Sequence, residues 1–425
     1  MVTFGAVTAA IIAVFTVASG AIILIPTFLW SVGIVSSIDT LTYKVVWWGM
    51  GHASQQVNVS AHVAVWYAIA AMVLGAKPLS EKVSRMAFLL YIAFLQLASA
   101  HHLLVEPGIS SEWKIFNTSY AMYLAVLGSM IHGMSVPGAI EAAQRRRGFT
   151  QGIFGWLRKA PWGNPAFSGM VLSLVMFGFL GGISGVVLGT EQLNLIMHNT
   201  LYVTGHFHAT VVAGTTLAFM AVTYLVVPLI FRRELVMKKL AQWQPYLFGI
   251  GAMGISLFMM GAGTLGVSRR HWDITFGDSV LSFDYPPAAF LMMGLNGIFA
   301  IIASLGGIIF IVVVVASILY GKPRDEAAVK ANPVVLPGGG AAVAAYGSEG
   351  ISNGHIIDRR TDGSGLRTER PAGEEAPPRG LPREERRAVL LPEGRDARMH
   401  DRGVRVPGRA FRVAGARRGR DWRLA

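Results

Sequence analysis

Eight uninterrupted apolar segments constrain this chain more than any other feature. They run near residues 3–33, 43–76, 83–105, 114–140, 166–189, 196–231, 244–266 and 286–320. Each is long enough to cross the roughly 30 Å hydrocarbon core of a bilayer as a helix. Inside lipid no water satisfies the backbone, so each segment must bond its own N–H and C=O groups, which a helix does locally. Of the 425 residues, 53% are hydrophobic and 14% charged, a membrane rather than a soluble composition. The expected fold is all-α: a polytopic membrane bundle of about eight transmembrane helices over residues 1–320. The first segment, "VTFGAVTAAIIAVFTVASGAIILIPTFLW", has no basic leader and is too long for a signal peptide, so it reads as a membrane helix. Residues 321–425 form a basic Gly/Pro/Arg-rich tail with little to bury, for which disorder is expected.

The net charge of +13 suggests nucleic-acid binding only until it is mapped. Residues 321–425 hold 21 Lys/Arg against 14 Asp/Glu, which is about half of the excess. Much of the rest lies in the loops after the second, fourth and sixth segments, among them Lys77, Lys82, Arg85, Arg145, Arg146, Arg147, Arg158, Lys159, Arg232 and Arg233. The opposite connections carry few basic residues, chiefly Lys44, Lys114, Arg269 and Arg270, together with Asp39, Glu106, Glu112, Asp273 and Asp278. The positive-inside bias explains this division, makes the first set cytoplasmic and puts both termini inside. A nucleic-acid partner is not expected.

There is no cysteine, so disulfides, thiolate haem ligation and cysteine metal sites are excluded, and metal chemistry falls to other side chains. Five histidines stand within the apolar segments at one depth: His52, His101, His102, His206 and His208. An ionisable residue inside a membrane is costly and points to function. At 1.5 Å per residue, His52 lies about 14 Å and His206 about 15 Å below the outer ends of their segments, with His101 and His102 in the last two turns of the third. Adjacent imidazoles at 101 and 102, joined by His52, make a three-nitrogen site with an open position, suited to copper or zinc. His206 and His208 are about 200° apart on a helix and cannot share one metal. Two planar cofactors on opposite faces of that helix fit them, and haem with axial histidine is the obvious candidate. His62 and His132 lack this convergence and read as buried histidines bonded to neighbours. His271, His355 and His400, in loop or tail, carry no signal.

The stretches "GH" at 51–52, "AHHLLVEPGISSEWK" at 100–114, "GIFGWLRKAPWGNPAF" at 152–167, "HNTLYVTGHFHATVVAG" at 198–214 and "SRRHWD" at 268–273 resemble the catalytic subunit of haem–copper oxidases, closest to the B-type branch. The resemblance covers roughly residues 1–320. It implies that His52, His101 and His102 hold the copper called CuB, and that His206 is the proximal ligand of a high-spin haem facing it. It implies further that His208 is one axial ligand of a low-spin haem. Arg269 and Arg270 would pair with haem propionates, near His198 and Asn199. The implied protein is a respiratory terminal oxidase in the plasma membrane of a prokaryote. It would reduce O2 with electrons from a cytochrome, cupredoxin or quinol donor, beside other oxidase subunits.

This sequence departs from the family pattern in three ways. The family's subunit has twelve helices, and this chain corresponds to the fifth onward. The second axial histidine of the low-spin haem belongs to the earlier part, so the chain reads as a fragment, a mis-called gene start or one part of a split subunit, the last with a separate chain supplying those helices as a partner. A non-catalytic membrane haem protein is the alternative. Secondly, Gln56 stands where oxygen reductases carry a tyrosine cross-linked to the first copper histidine, and Leu95 stands where another branch places it. Without that phenol, joining two NO molecules into N2O is the rival reaction. Tyr67 and Tyr91 lie on the right helices but need a different geometry. Thirdly, Tyr67 matches a proton-channel position, while Gly128 and Ile131 stand where hydroxyl residues are expected. Glu106, at the outer mouth, is a candidate proton carrier.

Overall fold

The computed structural model describes residues 1–95, 101–270 and 284–325. His271, His355, His400 and the tail from 326 onward lie outside the described residues. Among the described residues, seven helices are long and apolar enough to cross a membrane, and the architecture is all-α. We label them α1 (Val2–Ser31), α2 (Thr40–Leu74), α4 (Ser111–Arg146), α5 (Pro165–Gly189), α6 (Leu201–Ile230), α7 (Lys238–Thr264) and α8 (Pro287–Tyr320). Between α2 and α4 runs α3 (Glu81–Leu90), continued by a π-helical turn at Tyr91–Leu95. The eighth expected segment is this one, and part of it falls outside the described residues.

Local signals set the helix ends. Asp39 caps α2, its carboxylate accepting from the Thr42 amide at 2.6 Å, and bonds from the Thr42 hydroxyl and amide hold the Asp39 carboxyl below its ordinary value. Gly75 ends α2 in the left-handed conformation. Asn164 caps α5 by accepting from the Ala166 and Phe167 amides, with Pro165 at the first helical position. The sixth segment was expected to start at 196. It is instead split into a short helix, Glu191–Met197, and α6, because Asn199 adopts a positive φ of 59° and Thr200 caps the new helix. The third segment was expected to stay helical to 105. His101 and His102 lie instead in a 3₁₀ turn, ahead of Pro107 and of Gly108 at φ 85°.

Connectivity makes neighbouring helices antiparallel. One end of the bundle carries the connections 75–80, 147–164 and 231–237, and the other carries 32–39, 101–110, 190–200 and 265–270. Short backbone pairings fasten both ends, Arg233 with Pro323 and Thr200 with Ser268. Small residues let helices approach where lipid offers no hydrophobic drive between them. A Cβ at Gly306 would lie 2.6 Å from the Phe248 amide nitrogen, and one at Gly205 would lie 2.7 Å from the Ser256 carbonyl oxygen. The α7–α8 and α6–α7 seams therefore close backbone to backbone.

Gly306 and Gly307 give a paired test, since a Cβ at Gly307 meets nothing within 4 Å. Gly306→Leu is expected to destabilise the detergent-purified protein by about 1–3 kcal/mol through overpacking. Gly307→Leu should leave the melting temperature nearly unchanged.

Candidate haem–copper centre

Two helical segments deliver the three convergent imidazoles. His52 comes from the first half of α2, and the His101–His102 pair comes from the 3₁₀ turn. One nitrogen from each of the three rings lies within 4.8 Å of the others, a donor set able to hold a metal ion. The ring centroids of His101 and His102 are 4.0 Å apart, and His52 stands 4.9 and 5.7 Å from them. His101 and His102 are 5% and 7% exposed, so little water competes for their lone pairs.

His206 joins this set. It lines the same cavity of about 130 Å³ as His52, His101 and His102, together with Gln56, Ser129 and Gly185. Its Nδ1 lies 2.9 Å from Ser184 Oγ. The Ser184 hydroxyl donates to the carbonyls of Leu180 and Gly181, so its lone pair is left to accept from His206 Nδ1–H. Nε2 then carries the free lone pair, the state a metal ligand needs. His208 is prepared in the same way: its Nδ1 lies 2.9 Å from the Thr204 carbonyl, which can only accept. His208 does not line the cavity, consistent with its position on the other side of α6. Phe207, between the two, stacks parallel to His102 at 6.1 Å.

Glycines form the wall beside His206. Gly181, Gly182 and Gly185 line the cavity, and a Cβ at Gly185 would lie 3.0 Å from the His206 ring. The backbone there is π-helical at Met176–Gly182 and again at His208–Thr216, a departure common at functional sites. A second cavity, about 430 Å³, opens on the same end of the bundle, lined by Trp48, His102, Glu106, His198, Asn199, Arg269 and Arg270. Asn199 Oδ1 accepts from both Nε and Nη2 of Arg269, at 3.1 and 2.7 Å. Arg270 has a positive φ of 64°, strain of the kind that marks ligand sites. Burial and the neighbouring Arg270 hold the Arg269 guanidinium below its ordinary value, and burial followed by Arg269 does the same to His198. Among the described residues no carboxylate forms an ion pair with either arginine. The three-imidazole set is able to hold a metal ion and His206 lines the same cavity, a donor chemistry that fits copper and haem.

The remaining expected residues divide. Gln56 is 8% exposed, with its amide nitrogen 3.4 Å from His52 Nδ1, a polar neighbour where a phenol was expected. Glu106 is ion-paired with Lys44 at 2.6 Å. His62 bonds Thr215 and His132 bonds Tyr67 through Nδ1, while their buried Nε2 atoms have no partner among the described residues. Three contributors escaped the sequence reading. Trp48 stacks on His102 at 3.8 Å and 9°, Ser184 holds His206, and the Asn194 amide donates to the His101 carbonyl at 3.1 Å. Trp48 and Ser184 give one signal, an indole or polar group inside an apolar segment, whereas Asn194 lies between the fifth and sixth segments and gives none.

The family model described as cytochrome c and quinol oxidase polypeptide I matches residues 1–309. Cytochrome c oxidase subunit 1 of Thermus thermophilus is 31% identical over 302 residues, covering 70% of this chain and 52% of that protein. The corresponding polypeptide 1 of Halobacterium salinarum is 25% identical over 248 residues, 56% of this chain and 37% of its own. A solved heme-copper terminal oxidase dimer superposes with a TM-score of 0.71 at 26% identity, covering 76% of this chain and 57% of that one. This chain spans about half the length of the Thermus relative.

The imidazole triangle predicts one tightly held equivalent of Cu(I) in the purified protein. His52→Ala and His102→Ala should each abolish it in a competition titration against a chromogenic chelator. Ser184→Ala should leave copper in place and weaken haem retention by about 10–100-fold, as loss of an outer-shell partner does.

Proposed function

Because this chain belongs to the cytochrome c and quinol oxidase polypeptide I family, we propose that it is the reaction-centre part of a respiratory haem–copper oxidase that reduces O2 to water. His52, His101 and His102 would hold copper, His206 the high-spin haem, and His208 one axial position of a low-spin haem. Arg269 and Arg270, with His198 and Asn199 beside them, would receive the propionates. When bound, the haem and copper supply a two-metal pocket that takes up electrons and binds a diatomic substrate. The observation that carries this reading is the convergence of His206 with the three-imidazole set in one cavity.

The chain's own residues have separable tasks. Ser184 and Thr204 fix the tautomers of His206 and His208 by accepting from Nδ1–H. Trp48 stacks on the His102 ring, and Phe207 lies parallel to it. Asn199 aims Arg269, a charge-assisted contact suited to a carboxylate. The loop charges give the orientation: the 75–80 end cytoplasmic, both termini inside, in a prokaryotic plasma membrane. Partners would be a cytochrome, cupredoxin or quinol donor and the other oxidase subunits. A segment or chain carrying the remaining family helices would supply the second axial ligand opposite His208.

A second reading rests on Gln56. An amide can hydrogen-bond a substrate but cannot give up an electron with its proton as a phenol does, and this favours the two-electron joining of NO into N2O. The complete purified complex should bind CO to a reduced five-coordinate haem, and His206→Ala should abolish that adduct. Side-by-side turnover with O2 and NO then decides the substrate. O2 consumption at least tenfold slower than NO consumption would reject the oxidase reading, and loss of CO binding in the unsubstituted protein would reject both.

A further inference from the structure

Three consecutive arginines close α4, and their tasks divide. Arg145 pairs with Glu141 at 2.7 Å and reaches the carbonyls of Thr150 and Gly152. Arg147 donates to the Leu74 carbonyl at 3.0 Å and to the Gln144 side chain, which ties the end of α4 to the end of α2. Arg146, between them, has no hydrogen bond or ion pair among the described residues. It lines a cavity of about 280 Å³ instead, with Ala142 from its own helix and Lys77, Pro78 and Leu79 from the α2–α3 connection. Lys77 is likewise unpaired among the described residues.

Two unpaired cations on one cavity repel each other until an anion joins them, and no carboxylate lines this cavity. Both α2 and α4 end here, and free carbonyls at helix ends would disfavour an anion. Those carbonyls are already engaged. Arg147 meets that of Leu74, the Gly75 and Ala76 amides meet those of Ala71 and Ala70, and the Arg147 and Gly148 amides meet those of Gln144 and Arg145. Below the cations the surface turns apolar. Arg146, Ala142, Gly138 and Met134 follow one another at four-residue steps, so they share a face of α4 and span about 18 Å along it. Leu79 packs over Gly138, where a Cβ would come 2.7 Å from Leu79 Cδ1. Leu79 and Met134 are exposed, so the face runs from the cavity into the depth of the membrane without a neighbouring helix covering it.

We propose that the Lys77–Arg146 cavity binds the headgroup phosphate of an anionic phospholipid, with one acyl chain lying along the α4 face past Ala142, Gly138 and Met134. The guanidinium offers a fork to two phosphate oxygens and the ammonium a point charge to a third. A basic pocket between transmembrane helices at a membrane surface suits such a headgroup. A zwitterionic lipid brings its own cation to the same place and leaves the repulsion unrelieved. Free phosphate satisfies the two cations but gains nothing from Leu79 and Met134, whereas an acyl chain covers them. Bound there, the lipid bridges the α2–α3 connection to the end of α4, the two elements that Arg147 already ties. The site lies outside the histidine cavity and does not depend on the reaction carried out there.

Lipid retention by the complete complex, stripped of lipid in detergent, tests the site. In native mass spectrometry, dioleoyl phosphatidylglycerol should bind once per copy of this chain and at lower concentration than dioleoyl phosphatidylcholine. Each cation near a membrane surface is worth about fivefold, so Lys77→Ala and Arg146→Ala should each weaken phosphatidylglycerol binding by about that factor, and the double substitution by about 25-fold. Lys77→Arg and Arg146→Lys, which keep the charge, should retain it. Arg158→Ala and Lys159→Ala remove exposed cations at the same end of the bundle but outside the cavity and should bind as the unsubstituted protein does. Equal retention of the two lipids, or unchanged retention in the doubly substituted protein, would overturn the proposal. Displacement of phosphatidylglycerol by inorganic phosphate would also overturn it, leaving a site for the free anion.

Discussion

The bond between His206 Nδ1 and Ser184 Oγ, at 2.9 Å, fixes the chemistry on which everything else in this bundle depends. A neutral imidazole offers one donor and one acceptor, and the partner at one nitrogen decides what the other presents. Ser184 spends its own proton on carbonyls of its helix, so His206 must give Nδ1–H and present Nε2. Thr204 imposes the same choice on His208 through a carbonyl. Two residues two apart on α6 thereby present the same tautomer. The close α6–α7 seam at Gly205 sits between these bonds and holds the helix that carries both rings.

Much of this was legible in the residues. The apolar segments announced the helices because the bilayer forces each segment to close its own hydrogen bonds, and seven of the eight stand among the described residues. The five histidines were legible because an imidazole at membrane depth has no ordinary reason to be there. Hydrogen-bond register was not legible. His101 and His102 in a 3₁₀ turn, and π-helical backbone at Met176–Gly182 and His208–Thr216, use residues that would serve equally in a regular helix. The difference lies in which carbonyl each amide meets, and that is decided by packing against other helices. The break at Asn199 was hidden for a related reason: Asn tolerates positive φ, yet an Asn inside an apolar run gives no warning that it will use it.

The partners of the histidines were the least readable part. Trp48 reads as one more apolar residue until its ring is seen stacked on His102. Asn194 reads as a tolerated polar residue until it is seen to grip the His101 carbonyl. Tyr91 and Gly128 are instructive together, because neither means anything alone. A glycine where a hydroxyl is expected looks like a loss, and a tyrosine ten residues before the histidine pair looks misplaced. Packed, the glycine gives the ring its seat: a Cβ at Gly128 would lie 3.0 Å from it.

Charge neutrality sets a requirement on the histidine centre. Moving an isolated charge from water into a dry interior costs on the order of 20 kcal/mol in the idealised limit, and several after relaxation. On the proposed haem–copper reading, an electron delivered to a centre as buried as His101 and His102 cannot stay there cheaply unless a positive charge follows it. The arginines at the second cavity attract anionic groups but cannot move inward. Gln56 has no acidic proton to lend, whereas a phenol in its place would have had one. The compensating charge would then have to arrive as a mobile proton through side chains that can both accept and donate.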